Sequence, residues 1–169
     1  MCKLNSARVE QLAILDSIPL FLNLTSKNKF SEIIIPIFSE MISSTKIVRD
    51  ILKDHFGLQT LLNFIKNYQN YAPELISKIV YWLNCDKDYI ENIILQDNFF
   101  DTLFKEIFNI YSDNFKILVS TLLNFFDTSN KILKKFFDHQ DYSDFLMKKY
   151  LKINQNRKEL SGKQRSCSY

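Results

Sequence analysis

Glycine and proline make most tight turns, and this chain is nearly without them: two Gly and three Pro in 169 residues. Five turn formers cannot supply the many short connections of a β-sandwich or barrel, so the sequence predicts a helical protein. Cysteine is also scarce. Cys2, Cys85 and Cys167 are odd in number and far apart, which suits free thiols in a reducing compartment. No stretch approaches the roughly 18 uninterrupted apolar residues of a membrane span, and Met1 to Asp16 lacks the apolar core of a secretion signal. The expected location is therefore cytosolic or nuclear, with no membrane partner, and Asn23-Leu24-Thr25 matches a glycosylation acceptor by chance.

An excess of charge of either sign is missing from most of the chain. The formal net charge is +3, and residues 155–169 account for it, with Arg157, Lys158, Lys163 and Arg165 against Glu159. The first 154 residues hold 18 basic and 18 acidic side chains. Nucleic-acid binding usually shows as a basic stripe on the fold itself, so a nucleic-acid partner is disfavoured. A chain this long buries roughly 70% of the surface its unfolded form exposes, enough for a core without staples.

What the chain does contain is a repeat. The pairs Ile47-Val48 and Ile51-Leu52 recur as Tyr89-Ile90 and Ile93-Ile94, then as Ile132-Leu133 and Phe136-Phe137, at offsets of 42 and 43 residues. Each set has the i, i+1, i+4, i+5 spacing of one broad helical face. A short polar step that could cap a helix precedes each: Ser43-Ser44-Thr45, Asp86-Lys87-Asp88 and Thr128-Ser129-Asn130. A second apolar element follows at Leu61-Leu62, Leu103-Phe104 and Phe145-Leu146, with an earlier copy at 18–24. A third, longer one follows at 31–42, 73–84 and 115–126. Three helices per repeat of about 42 residues is the armadillo/HEAT period. The expected architecture is an all-α, armadillo/HEAT-like right-handed α-solenoid of about three and a half repeats, at about 7–43, 45–85, 86–127 and a partial 128–154.

Punctuation supports that division. Pro19 and Pro73 sit where a first helical turn accepts proline. Gly57 falls where a helix end favours a left-handed residue, whereas Pro36 lies inside a helical run and is expected to kink it. Residues 1–154 form the expected repeat domain and 155–169 a basic, disordered tail. An array that stops within a repeat leaves apolar surface uncovered at its end, to be met by a partner or by further chain.

Several stretches carry a family resemblance: a polar-polar-Lys-Ile step at Ser44-Thr45-Lys46-Ile47, the Gly57-Leu58 junction, the helix end Trp82-Leu83 followed by acidic residues, and the junction Asp138-His139-Gln140-Asp141. In this order, from about Arg8 to about Arg165, the chain resembles the armadillo-like C-terminal region of the Ser/Thr kinases of the septation-initiation and mitotic-exit pathways, a family that includes plant MAP kinase kinase kinase epsilon. The resemblance implies a non-catalytic interaction module that docks a regulatory GTPase, a spindle-pole scaffold or the parent kinase domain. It also implies a cytoplasmic setting at a spindle pole or division site. The kinase domain itself is not expected here, since two glycines cannot write its G-x-G-x-x-G loop.

Chemistry-bearing residues are few. His55 and His139 each follow a first helix and suit a structural role at helix ends better than catalysis. The cysteines show no C-x-x-C pairing and no adjacent His, so no zinc set, cofactor site or catalytic residue is assigned. Lys131, Lys134 and Lys135, like Lys148 and Lys149, read as solvated helix faces. The concave face of an armadillo array is lined by third helices. By analogy with the family's W-x-x-x-N pattern, the Asn position falls on Glu40, Trp82 and Asn124, and the Trp position on Pro36, Lys78 and Ser120. Trp82, the single tryptophan, is either a binding hot spot on that face or a core residue between repeats. The alternative to a kinase-type module is a free-standing helical scaffold that self-associates through its incomplete C-terminal repeat.

Overall fold

A computed structural model describes residues 6–14, 17–25 and 30–152. Among the described residues every regular element is helical. The order is α1 (Ser6–Ile14), α2 (Ser17–Thr25), α3 (Ser31–Ser43), α4 (Lys46–Asp54), α5 (Gly57–Asn67), α6 (Ala72–Cys85), α7 (Lys87–Ile94), α8 (Asp97–Ile110), α9 (Phe115–Thr128) and α10 (Asn130–Asp138). Residues 140–152 are also helical. The expectations for Cys2, Cys167 and the 155–169 tail lie outside the described residues.

Helix length follows position in the chain. α1, α4, α7 and α10 have eight or nine residues, while α3, α6 and α9 have 13 or 14. Short helices with one apolar edge gain little from propensity and are held by tertiary packing. In α4, Val48 and Leu52 supply that edge, in α7 Ile90 and Ile94, and in α10 Ile132 and Phe136, all fully buried. Most sequence neighbours pack together, and so do several helices three places apart: α1 with α4, α3 with α6, α5 with α8, α6 with α9, and α7 with α10. One apolar core runs without a break from Val9 to Phe136. Towards its C-terminal end it is aromatic, with the Phe104 ring 4.5 Å from Phe100, 5.8 Å from Phe125 and 5.3 Å from Phe136.

Local chemistry sets the helix ends. Ser129 Oγ accepts from the Ile132 N–H at 3.1 Å, and Asn114 Oδ1 accepts from Ile117 at 3.2 Å, each satisfying an N–H that has no intrahelical partner. Pro73 occupies the first turn of α6, and Pro36 lies within α3, which continues through it to Ser43. His55 and His139 are the residues that end α4 and α10.

Gly57 does something other than what its sequence context suggested. The left-handed residue of this turn is Phe56, at φ 56° and largely solvent-exposed, and Gly57 opens α5 with ordinary backbone angles. What Gly57 provides is clearance. A Cβ there would lie 2.8 Å from the Leu52 carbonyl oxygen, 3.0 Å from Leu52 Cβ and 3.1 Å from the Trp82 ring. α4, α5 and α6 therefore meet at a point where no side chain fits.

Polar side chains bridge helices three places apart. Arg49 of α4 donates to Asp86, the residue before α7, at 3.0 Å, and to the Ser44 carbonyl at 2.8 Å. Lys53 reaches the other Asp86 oxygen at 2.9 Å. One step along, Glu91 of α7 accepts from Ser129, the residue before α10, at 2.5 Å and from Lys131 at 2.6 Å. Lys135 donates to the Leu95 carbonyl at 2.6 Å and pairs with Asp97. Lys131 and Lys135 thus tie α10 to the preceding helices and do not merely solvate a face. Burial pushes the Asp86 carboxyl up, but the hydrogen bonds from Lys53 and Arg49 outweigh it and hold the group below its ordinary value. Glu91 is likewise raised by burial and more strongly lowered by Lys131 and Ser129.

Two outcomes are expected. Gly57→Ala lowers stability by about 1–3 kcal/mol in urea unfolding, because crowding against a backbone carbonyl and a packed indole outweighs the better helix propensity of alanine. Asp86→Asn costs about 3 kcal/mol, since Arg49 is left buried without its carboxylate. Both carboxyls titrate lower when folded, so their stabilisation is complete above the ordinary values of 3.8 and 4.5 and is lost as pH falls below them. In acid titrations of the melting temperature the Asp86→Asn, Glu91→Gln double variant accordingly shows a flatter slope than the parent.

Candidate functional site

α3, α6 and α9 lie side by side, and side chains cross-link them. Ser39 Oγ donates to Glu74 Oε1 at 2.6 Å, and Lys78 donates to Ser43, both between α3 and α6. Thr128 Oγ1 lies 3.2 Å from Asn84 Oδ1, joining α9 to α6. The buried edges of the three helices face the core through Ile34, Phe38 and Ile42, through Leu75, Ile79 and Leu83, and through Leu118, Leu122 and Phe126. Their opposite edges are open to solvent.

The buried edges fix how the three helices correspond. Ile34, Ile35, Phe38, Met41 and Ile42 match Leu75, Ile76, Ile79, Trp82 and Leu83 at an offset of 41. Leu75, Ile79, Trp82 and Leu83 then match Leu118, Leu122, Phe125 and Phe126 at an offset of 43. The apolar runs at 31–42, 73–84 and 115–126 suggest 42 for both steps, and one residue of slip moves a position by 100° around a helix. Glu40, Asn124 and Ser120 are exposed, and Pro36 is half-buried. Their counterparts on α6 are Tyr81 and Ser77, both exposed, in place of Trp82 and Lys78.

Trp82 is a core residue. Its side chain is fully buried, its ring packs over Gly57, and its Nε1 has no hydrogen-bond partner. An indole with a 0% exposed surface cannot contact a partner while the fold is intact. Lys78 is half-buried and occupied by Ser43. Sequence reasoning missed Tyr81, whose ring is 41% exposed, and the open aliphatic residues Ile33, Ile117 and Leu123. The signal for Tyr81 was its place beside Trp82 in the apolar run Ile79 to Leu83, where one of two adjacent aromatics must face outward. A hydrogen bond with Cys85, together with partial burial, raises the Tyr81 phenol above its ordinary value. The exposed edge therefore alternates apolar groups with Glu40, Glu74, Ser77, Ser120, Asn124 and Asp127, a surface suited to an extended or helical protein segment.

An open cleft of about 650 Å³ lies between α8 and residues 139–145. Lys66, Asp101, Lys105, Glu106, His139 and Tyr142 line it. His139 Nε2 is 3.5 Å from Asp101 Oδ1, and Tyr142 donates to the same oxygen at 3.3 Å. Burial and the Asp101 charge push the Tyr142 phenol up to about 12, so it remains a proton-bearing donor at neutral pH. Cations and carboxylates alternate around this cleft, giving no preference for a ligand of one sign. Among the described residues no cluster has the make-up of a metal site, and no helix is long and apolar enough to cross a membrane.

The chain matches no protein-family model, no curated protein and no solved structure.

Burial separates the roles of the two adjacent aromatics. Trp82→Ala is expected to cost about 3–5 kcal/mol by opening a cavity above Gly57, seen as a lowered denaturation midpoint, whereas Tyr81→Ala leaves the midpoint within about 1 kcal/mol of the parent.

Proposed function

We propose that this chain is a protein-interaction module: an armadillo-like, right-handed α-solenoid of about three and a half three-helix repeats whose third helices dock a segment of a protein partner. The observation that carries this is the exposed edge shared by α3, α6 and α9, where Ile33, Tyr81 and Ile117 stand open to solvent among carboxylates and amides. Stacked third helices forming an extended docking surface are the usual product of repeat architectures. The pairing of helices three places apart supports the repeat. So do the side-chain hydrogen bonds between helices, which span 33 residues for Lys53 to Asp86 and 44 for Thr128 to Asn84, close to one repeat length.

The sequence stretches resembling septation-initiation and mitotic-exit kinases favour a role as the non-catalytic docking region of such a kinase, in the cytoplasm at a spindle pole or division site. Its partners would then be a regulatory GTPase, a spindle-pole scaffold or a kinase catalytic domain. Calorimetric titration of the purified chain with one protein of each class tests this. The expected result is micromolar binding to one of them, weakened about tenfold, or ~1.4 kcal/mol, by Tyr81→Ala or Ile33→Ser with the fold unchanged. Absence of binding to all three, or binding indifferent to both substitutions, overturns it.

A further inference from the structure

The C-terminal end of the helical stack carries two features that fit each other. The first is an apolar groove of about 510 Å³ between α9, α10 and the helix at 140–152, walled by Leu122, Leu123, Phe126, Leu133, Phe137 and Leu146. Earlier in the chain the corresponding place is filled by the next long helix, as α6 lies on α3 and α9 lies on α6. No described helix fills it after α9. The second feature is a ridge on residues 140–152: Met147, Tyr150 and Leu151, at i, i+3 and i+4, are 60%, 52% and 52% exposed. That spacing places them on one face of the helix, near its C-terminal end. Open apolar groups on this scale at one end of a stack mark an interaction surface.

We propose that two copies of this chain pair through their C-terminal ends, the Met147, Tyr150 and Leu151 ridge of each seated in the groove of the other. Groove and ridge adjoin, because Leu146 of the same helix lines the groove. A two-fold axis beside Leu146 engages both features of both copies at once, the closed arrangement that symmetric dimers prefer. Charge agrees with this pairing. Lys148 and Lys152 flank the ridge and are exposed, and the exposed Asp127 stands at the groove. Two other occupants fit less well. Residues 153–169 offer Ile153 and Leu160 as their only aliphatic side chains amid Arg157, Lys158, Lys163 and Arg165, which is no apolar stripe. At the opposite end of the stack, Leu20, Phe30 and Ile33 are exposed but divided between α2, the turn before α3 and α3 itself, so they form no single ridge for a head-to-tail chain of copies. Leu123 and Asp127 border both this groove and the α3, α6 and α9 edge, but the edge is tested through Tyr81 and Ile33, which lie outside the groove, so failure of one reading is distinguishable from failure of the other.

Sedimentation of the full chain from about 1 μM to about 500 μM tests the proposal, with a micromolar monomer–dimer equilibrium expected. Leu123→Glu in the groove and Leu151→Lys on the ridge each weaken dimerisation at least about tenfold, while circular dichroism and the melting temperature stay at parental values. Mixing the two variants restores association, because the mixed dimer keeps one parental ridge-and-groove contact and sets Glu against Lys in the other. A monomer throughout the range, a dimer untouched by both substitutions, or mass that grows without limit overturns the proposal.

Discussion

The spacing between successive groups of helices depends on where a charged side chain of one short helix meets the start of the next short helix. Arg49 holds the backbone before α4 through the Ser44 carbonyl and the backbone before α7 through Asp86. Glu91 does the second of these tasks for α10 through Ser129, which in turn caps that helix. Apolar faces alone tolerate sliding, since one methyl group packs much like another, but a hydrogen bond is lost within an ångström. Around these fixed points the long helices align, and their alignment creates the open edge and, after α9, the open end.

The polar anchors are nearly buried, and that changes what they contribute. A buried ion pair is a weak source of net stability, because desolvation of both charges offsets most of their attraction. Removing one partner is costly all the same. The anchors thus act on geometry more than on the depth of the energy well, while the continuous core from Val9 to Phe136 supplies the driving force. Gly57 acts in the same direction. By having no side chain it lets the Trp82 ring and the Leu52 backbone both come close to the start of α5.

Much of this was legible in the sequence. Helical character followed from the poverty of turn formers and the i, i+1, i+4, i+5 apolar sets, and two residues of each set, Val48 and Leu52, Ile90 and Ile94, Ile132 and Phe136, are the buried edges of α4, α7 and α10, while Ile47, Tyr89 and Phe137 are exposed. Both histidines end helices as expected. What could not be read was orientation at the level of one residue. Trp82 and Tyr81 are adjacent, both aromatic, and only the offsets of 41 and 43 between buried edges, in place of a uniform 42, say which one turns inward. The loops absorb these single-residue differences, and loop length carries no periodic signal. The role of Gly57 is hidden for a related reason: the unusual backbone angle of its turn falls on Phe56, a residue type uncommon in the left-handed region. Lys131 and Lys135 look like solvated cations in the sequence because their acceptors lie about 40 residues away.

The two polar junctions carry opposite chemistry at matching places. Arg49 and Glu91 are 42 residues apart in the chain and each reaches the residue before the next short helix, one a cation facing Asp86, the other an anion facing Ser129. The two junctions are therefore keyed. Excising the helices between them would bring Arg49 against the Ser129 hydroxyl, and duplicating those helices would bring unmatched groups together. Gene rearrangements that lengthen or shorten many solenoids without penalty would leave a mismatched joint here.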